Sequence, residues 1–153
     1  MSNVLVMFQA DTEHTEQMAL AVAVGAVEAE ASIRLRRLAV HGAVEVAHKG
    51  YGKLQRADLL WANMIVVGLE SATPRADELD GLLSLLREIE PGELDGKKAW
   101  TFGSEGLTAN RSKAQILVES ALKAAGVVLV PIEESSGQGL IERMKQAGRI
   151  SGK

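Results

Sequence analysis

The chain has 153 residues, a formal net charge of −3 and no cysteine. This length fits one domain with one core, so we expect residues 1–153 to form a single domain. The absence of cysteine excludes disulfides, thiolate metal ligands and a cysteine nucleophile. Dispersed Lys and Arg argue against a nucleic-acid partner, and no apolar run approaches the roughly 18 to 20 residues that span a bilayer. We therefore expect a cytoplasmic protein with no membrane partner.

Short β-branched runs and helical patterns alternate from the start of the chain. Residues 3–8 (NVLVMF) are apolar without alternation, which predicts a strand buried on both faces. Helix formers follow over 14–31, with Thr12 or Thr15 as the candidate cap. A second strand is predicted over 31–38, where arginines at alternate positions indicate a sheet edge or an exposed face. The pattern of residues 39–51 is compatible with two interpretations, a short extra strand or an ordered loop.

The alternation continues to the end of the chain. Residues 52–62 predict a short helix and residues 63–70 a buried strand, followed by a loop that contains a proline. Leucines at helical spacing predict a helix over 76–90. The remaining elements are a strand over 97–104, a helix over 111–126 that stops at Gly126, a strand over 127–132 and a helix over 139–150.

Five strands that alternate with five helices predict an α/β fold with a doubly wound parallel sheet in three layers. Parallel neighbours need crossover helices, and right-handed crossovers place these helices on both faces of the sheet. Ligands of such folds bind beyond the carboxyl ends of the strands, at the point where the strand order reverses. The loops that follow the strands at 3–8, 63–70 and 97–104 are therefore the candidate site.

Two families with doubly wound sheets do not match these loops. A dinucleotide-binding unit carries G-x-G-x-x-G after its first strand, and residues 8–17 (FQADTEHTEQ) contain no glycine. A response-regulator receiver needs an aspartate at the end of its third strand and Lys-Pro after its fifth. The corresponding segments, GLESATP and PIEESS, supply neither.

The first loop resembles the phosphate loop of the flavodoxins and the flavodoxin-like NAD(P)H:quinone oxidoreductases. That loop usually reads Ser/Thr-x-Thr-Gly-x-Thr and often continues as Glu-x-Met-Ala, and residues 10–19 read ADTEHTEQMA. Thr12 and Thr15 match the motif, whereas Ala10 and Glu13 depart from it.

Two later segments also resemble this family. Residues 57–74 (ADLLWANMIVVGLESATP) are similar to its third-strand segment, and residues 96–106 (GKKAWTFGSEG) to its fourth. The resemblance covers almost the whole chain in order and spacing. It implies a flavodoxin-like sheet of five parallel strands in the order 2-1-3-4-5.

The same resemblance implies a binding site for FMN. The phosphate would lie at the start of the first helix, where backbone amides and the helix dipole favour an anion. The flavin ring would lie between the loops after the third and fourth strands. The implied cofactor-binding residues are Thr12, Glu13, His14 and Thr15 around the phosphate, and Ser71, Ala72, Thr73, Ser104, Glu105 and Gly106 around the ring. No catalytic residue, redox partner or substrate is identified.

Glu13 and the ring loops leave two functions open. Glu13 replaces the family's glycine, and two unit charges about 5 Å apart in an effective dielectric near 20 repel by roughly 3 kcal/mol, or about a hundredfold in affinity. Neither ring loop contains an aromatic residue. The chain is thus either an FMN-binding electron carrier or small oxidoreductase, or a flavodoxin-fold domain that has lost FMN and serves as a binding or assembly module.

The first helix also bears on oligomeric state. Residues 18–29 (MALAVAVGAVEA) show little polar face. Burial against the sheet explains part of this pattern, and a homodimer contact is the remaining explanation. The histidines are too scattered along the chain to predict a metal site.

Overall fold

A computed structural model describes residues 2–9, 13–38, 52–69, 76–103, 112–132 and 139–152. The strands are β1 (Asn3–Gln9), β2 (Ser32–Leu38), β3 (Gly52–Lys53), β4 (Met64–Gly68), β5 (Lys98–Phe102) and β6 (Val128–Leu129). The helices are α1 (Glu13–Glu28), α2 (Arg56–Trp61), α3 (Ala76–Glu88), α4 (Lys113–Ala124) and α5 (Leu140–Ser151). None of the helices in these ranges is long and apolar enough to cross a membrane.

The strands form one parallel sheet in the order β3-β2-β1-β4-β5-β6. The predicted strands occupy the predicted order, so the doubly wound α/β fold is confirmed. The sheet gains one further strand, β3, whose residues Gly52 and Lys53 pair with Arg36 and Arg37 of β2. This strand uses the start of the segment 52–62 that was predicted as helix. Helix α2 begins later because the Asp58 carboxylate accepts a hydrogen bond from the Gln55 amide at 2.9 Å and so caps the first turn.

The last strand is shorter than the predicted range of 127–132. Strand β6 pairs with Lys98 and Ala99 of β5, and the Val130 amide still donates to the Ala99 carbonyl at 2.9 Å. Pro131 follows directly, at a position whose N–H would face away from β5, because the amides of Val128 and Val130 make the bonds to that strand. Gly126 has a φ of 96°, which agrees with its predicted role as the stop of the preceding helix.

The sheet separates two hydrophobic cores. One lies against α2, α3 and α4 and includes Leu59, Leu79, Leu82, Val118 and Leu122. The other lies against α1 and α5 and includes Met18, Val22, Trp100, Phe102 and Met144. Side chains of β1 alternate between the two cores, which is why its sequence shows no polar face.

Helices α1 and α5 approach each other at backbone distance. A Cβ added to Gly25 would overlap the carbonyl oxygen of Lys145, and one added to Gly148 would overlap that of Val22. The glycines are therefore required by this contact. On the outer side of α1, Val24 is 47 % exposed and Val27 is 52 % exposed, and the predicted homodimer contact through this helix stays a prediction.

The arginines of β2 are paired rather than simply exposed to solvent. Asp58, which is 3 % exposed, accepts from Arg34 Nη1 at 3.1 Å and from Arg36 Nε at 3.0 Å. The Arg34 guanidinium also lies 4.3 Å from the centre of the Trp61 ring. The alternating arginines thus tie β2 to α2 through one buried carboxylate.

Candidate functional site

The carboxyl ends of three central strands lie level with one another. Phe8 of β1 pairs with Gly68 of β4, and Gly68 pairs with Phe102 of β5. The chain runs from β1 to β2 in one direction across the sheet and from β4 to β5 in the other. The strand order therefore reverses between β1 and β4, and ligands of doubly wound folds bind at this position.

Thr15 is the described residue that points most directly to a ligand here. It lies in the first turn of α1, its side chain is fully buried, and its Oγ1 has no hydrogen-bond partner in the structure as described. A buried hydroxyl without a partner costs about 1–3 kcal/mol. Since α1 begins at Glu13, Thr15 is inside the helix and is not its cap. The hydroxyl is a donor at the helix end that favours negative charge.

Glu13 and His14 share this first turn. Glu13 is the first residue of α1. The carboxylate that Glu13 brings to this turn is the feature of the position that opposes an anion. His14 is exposed.

Glu13, His14 and Thr15 lie in the first turn of α1, and their role in holding a phosphate stays a prediction. The other predicted residues lie outside the described ranges, and their placement stays a prediction: Thr12, Ser71, Ala72, Thr73, Ser104, Glu105 and Gly106. Tyr51 and the ambiguous segment 39–51 also lie outside them.

Aromatic rings underlie this edge of the sheet. A Cβ on Gly68 would overlap the ring of Phe102, so glycine at this position makes room for the ring. Phe102 is fully buried, and its centre lies 6.0 Å from that of Trp100. The Trp100 indole donates to Ser151 Oγ at 2.8 Å, and this ring is buried in the core.

A buried polar network joins β5 to α4 beside the same edge. Gln115 Nε2 donates to Thr101 Oγ1 at 3.1 Å, and the Thr101 hydroxyl donates to Glu119 Oε2 at 2.6 Å. Gln115 also caps α4 with Ser112 in a reciprocal capping box. The sequence signal for this network is Ser112-x-x-Gln115, a capping-box pattern that predicts a helix start and not the link to β5.

Lys97, by contrast, has a structural role at the opposite end of the sheet. Its Nζ donates to the carbonyls of Leu60 and Ala62 at the end of α2, and burial lowers the pKa of this amine. The contact fixes the entry to β5.

No family model matches the chain, and no curated protein matches it significantly. Several solved structures do match the chain. A flavodoxin from the domain Archaea is 17 % identical to this chain, with a TM-score of 0.62. The match covers 98 % of this chain and 96 % of the flavodoxin chain, and the coverages below are given in the same order. Oxidised Flavodoxin 2 from Bacillus cereus is 18 % identical, covers 96 % and 95 %, and has a TM-score of 0.61. Two-electron reduced Megasphaera elsdenii flavodoxin is 16 % identical, covers 96 % and 98 %, and has a TM-score of 0.62.

The topology defines a doubly wound α/β protein, a class whose ligands bind at the carboxyl edge where the strand order reverses, here between β1 and β4. The structural similarity is more specific, because it extends over nearly the whole of this chain and of each flavodoxin. The chain has the flavodoxin-like fold, as its first loop and its strand segments predict. At these identities the similarity establishes the fold alone.

Proposed function

We propose that this protein binds FMN non-covalently at the carboxyl edge of the sheet and acts in electron transfer or as a small flavin-dependent oxidoreductase. The observation that carries the proposal is the buried, unpartnered hydroxyl of Thr15 in the first turn of α1. A phosphate oxygen at this position would accept its hydrogen bond.

The surroundings of Thr15 fit a phosphate monoester in two further respects. The amino end of a helix carries a partial positive charge and N–H groups that have no partner within the helix. This end of α1 follows β1 at the reversal of strand order, where the fold places its ligands. The similarity to an oxidised and to a two-electron reduced flavodoxin supports a redox role.

FMN, when bound, supplies the redox chemistry, and the protein supplies binding, orientation and electrostatic tuning. In this chain Thr15 would donate a hydrogen bond to the phosphate. The first-turn amides of α1 would stabilise its charge, while Glu13 opposes it.

The direct test is titration of the purified protein with FMN and with riboflavin, followed by flavin fluorescence and thermal unfolding. We expect saturable quenching by FMN and a higher unfolding temperature. Riboflavin, which lacks the phosphate, should bind more weakly.

Thr15→Val tests the residue that carries the proposal. Valine has the shape of threonine without the hydroxyl, so we expect FMN affinity to fall about tenfold, whereas riboflavin affinity stays unchanged. The flavin-free variant should be at least as stable as the wild type, because it no longer buries an unpartnered hydroxyl. Ser120→Ala, which removes an exposed hydroxyl from α4, is the control and should bind both flavins as the wild type does.

Absence of quenching and of a thermal shift at high micromolar FMN would overturn the proposal. The chain would then be a flavodoxin-fold domain that serves as a binding or assembly module.

A further inference from the structure

Helix α4 carries an exposed apolar ridge on the side that faces away from the sheet. Ile116 is 53 % exposed and Leu117 is 38 % exposed, whereas Val118 and Leu122 are buried in the core beneath the helix. Both ridge residues lie in the first half of α4. Neighbouring large apolar side chains at a surface favour an interface where a complementary surface is available.

A groove of about 530 Å³ lies beside the second half of the same helix, between α4 and α3. The apolar residues that line it are Leu83, Leu86, Ile89, Ala121, Ala124 and Ala125. Charged side chains of both signs, Arg87, Glu90 and Lys123, complete its rim. Leu117, Ala121 and Ala124 follow one another at helical spacing, so the ridge and the groove share one side of α4.

The two ends of α4 also differ in charge. Lys113 is exposed at the first residue of the helix. At the other end, a Cβ added to Gly126 would overlap Asp95 Oδ1, so this carboxylate lies directly against the end of α4. It adds a full negative charge to the partial negative charge of the helix end. Within the described part of the chain, neither Lys113 nor Asp95 forms an ion pair.

We propose that this side of α4 binds a second copy of the chain about a twofold axis, with the two α4 helices antiparallel. Both copies use the same surface in a twofold interface, so this surface must be complementary to itself. Antiparallel helices that cross near Ser120 bring the Ile116–Leu117 ridge of each copy to the groove of the other. The same rotation places Lys113 of each copy beside Asp95 of the other.

Helix geometry supports this register. Ile116 and Ala124 each lie four residues from Ser120, in opposite directions, so they fall at the same height when the two helices are antiparallel. Lys113 lies seven residues before Ser120, and Gly126 lies six residues after it. At a rise of about 1.5 Å per residue these two positions match to within about 1.5 Å along the axis. Serine at the crossing point is small and allows the helices to approach closely.

Sedimentation velocity over a range of protein concentrations tests the surface. We expect the mean mass of the wild type to rise with concentration from that of a monomer to that of a dimer, because an interface made of one helix face and one groove belongs to the small, transient class. Ile116→Glu should raise the dissociation constant at least about tenfold, because it would bury an unpaired charge. Val27→Glu is the matched control on α1, since Val27 is 52 % exposed, and it should associate as the wild type does.

Two charge variants test the register, because they should fail alone and succeed together. Lys113→Glu sets two carboxylates against each other in its homodimer, and Asp95→Lys sets two ammonium groups against each other. We expect each variant alone to associate about tenfold more weakly than the wild type. In an equimolar mixture, the heterodimer places the new glutamate beside the new lysine and the original Lys113 beside the original Asp95. The mixture should therefore associate about as tightly as the wild type, to within about twofold.

A wild type that stays monomeric at the highest concentration overturns the proposal. Loss of the dimer in Val27→Glu but not in Ile116→Glu also overturns it and assigns the contact to α1 instead. No recovery on mixing the two charge variants overturns the antiparallel register. Thermal unfolding at low concentration shows that each variant is folded, and we expect Ile116→Glu to match the wild type there because its side chain is exposed in the monomer. None of these readouts uses flavin, so they are independent of the proposed function.

Discussion

Glu13 and Thr15 lie two residues apart in the first turn of α1 and have opposite effects on an anion. The Thr15 hydroxyl is a buried donor without a partner, whereas Glu13 carries a negative charge at the first helical position. A carboxylate at a helix start is favourable for the helix dipole. The same charge repels a phosphate bound at that position, so helix stability and ligand affinity make contrary demands on residue 13.

We expect Glu13→Gln to tighten FMN binding by up to about a hundredfold at low ionic strength, because it removes the charge and keeps the side-chain shape. The gain should shrink as salt screens the charge, and riboflavin affinity should not change. Fluorescence titration at two salt concentrations measures both effects. Equal FMN affinity in the variant and the wild type would show that the carboxylate lies away from the phosphate.

Single residues of the site were predictable where a motif specifies them locally. Thr15 was identified from its place in the first loop. Gln115 was not, because its partner Thr101 lies 14 residues earlier on a different element, and the register that joins them is a property of the folded sheet. The resemblance to a motif likewise could not show that the Thr15 hydroxyl is buried without a partner.

At the scale of elements, the contact between α1 and α5 depends on glycine. Gly25 lies directly against the carbonyl of Lys145, and no rotamer change can move a backbone atom away. Gly81 of α3 provides the contrast, since a Cβ added there would meet nothing within 4 Å.

We expect Gly25→Ala to destabilise the protein by about 1–3 kcal/mol, because the two helices must separate to admit the methyl group. Gly81→Ala should instead stabilise it by about 0.5–1 kcal/mol through helix propensity. Urea unfolding of the two variants gives the comparison. Stabilisation by both substitutions would contradict the close packing of α1 on α5.

The elements were predictable from periodicity, and their ends were less so. Strand β3 was not predicted because its two residues, Gly52 and Lys53, are too few to show a periodic pattern. They are extended because they pair with the edge of β2. Strand β6 was predicted too long because an apolar run continues past the last residues that find a partner on β5. In both cases hydrogen bonding to a neighbouring strand set the boundary, and this neighbour is not visible in the local sequence.

For the whole molecule, Asp58 couples folding to pH. Burial raises the pKa of this carboxyl, but hydrogen bonds from Arg36, the Gln55 amide and Arg34 outweigh it and hold the pKa below its ordinary value of 3.8. The folded state therefore binds fewer protons than the unfolded state. The stability contributed by Asp58 is fully present above about pH 4 and is lost as the pH falls through the lower folded-state pKa.

We expect Asp58→Asn to lower the free energy of unfolding at pH 7 by about 2–4 kcal/mol, because it leaves two partly buried guanidinium groups without their anion. The difference from wild type should narrow as the pH falls below about 4. Glu93→Gln, which removes the partner of the exposed Arg56, is the control and should have a much smaller effect. Urea unfolding between pH 3 and 7 provides the measurement, and a difference that does not depend on pH would contradict this role.

The overall fold followed from the alternation of strand and helix patterns, since that alternation admits few sheet topologies. Function is harder to predict at this scale because one fold carries many functions. Here the ligand hypothesis depends on a few side chains at one edge of the sheet, and the fold that supports them is compatible with either of the two functions considered.

The close packing of α1 on α5 also constrains the order of events during synthesis of the chain on the ribosome. Helix α1 is made before α5, and its surface around Gly25 is complementary to that helix, which is made more than a hundred residues later. Until α5 emerges, Met18, Val22 and the neighbouring face of the sheet lack their cover. Contacts this distant in sequence form late because the intervening loop must close first. The nascent protein therefore holds an apolar face open while the segment between α1 and α5 is translated, and a chaperone that binds such faces would find it there.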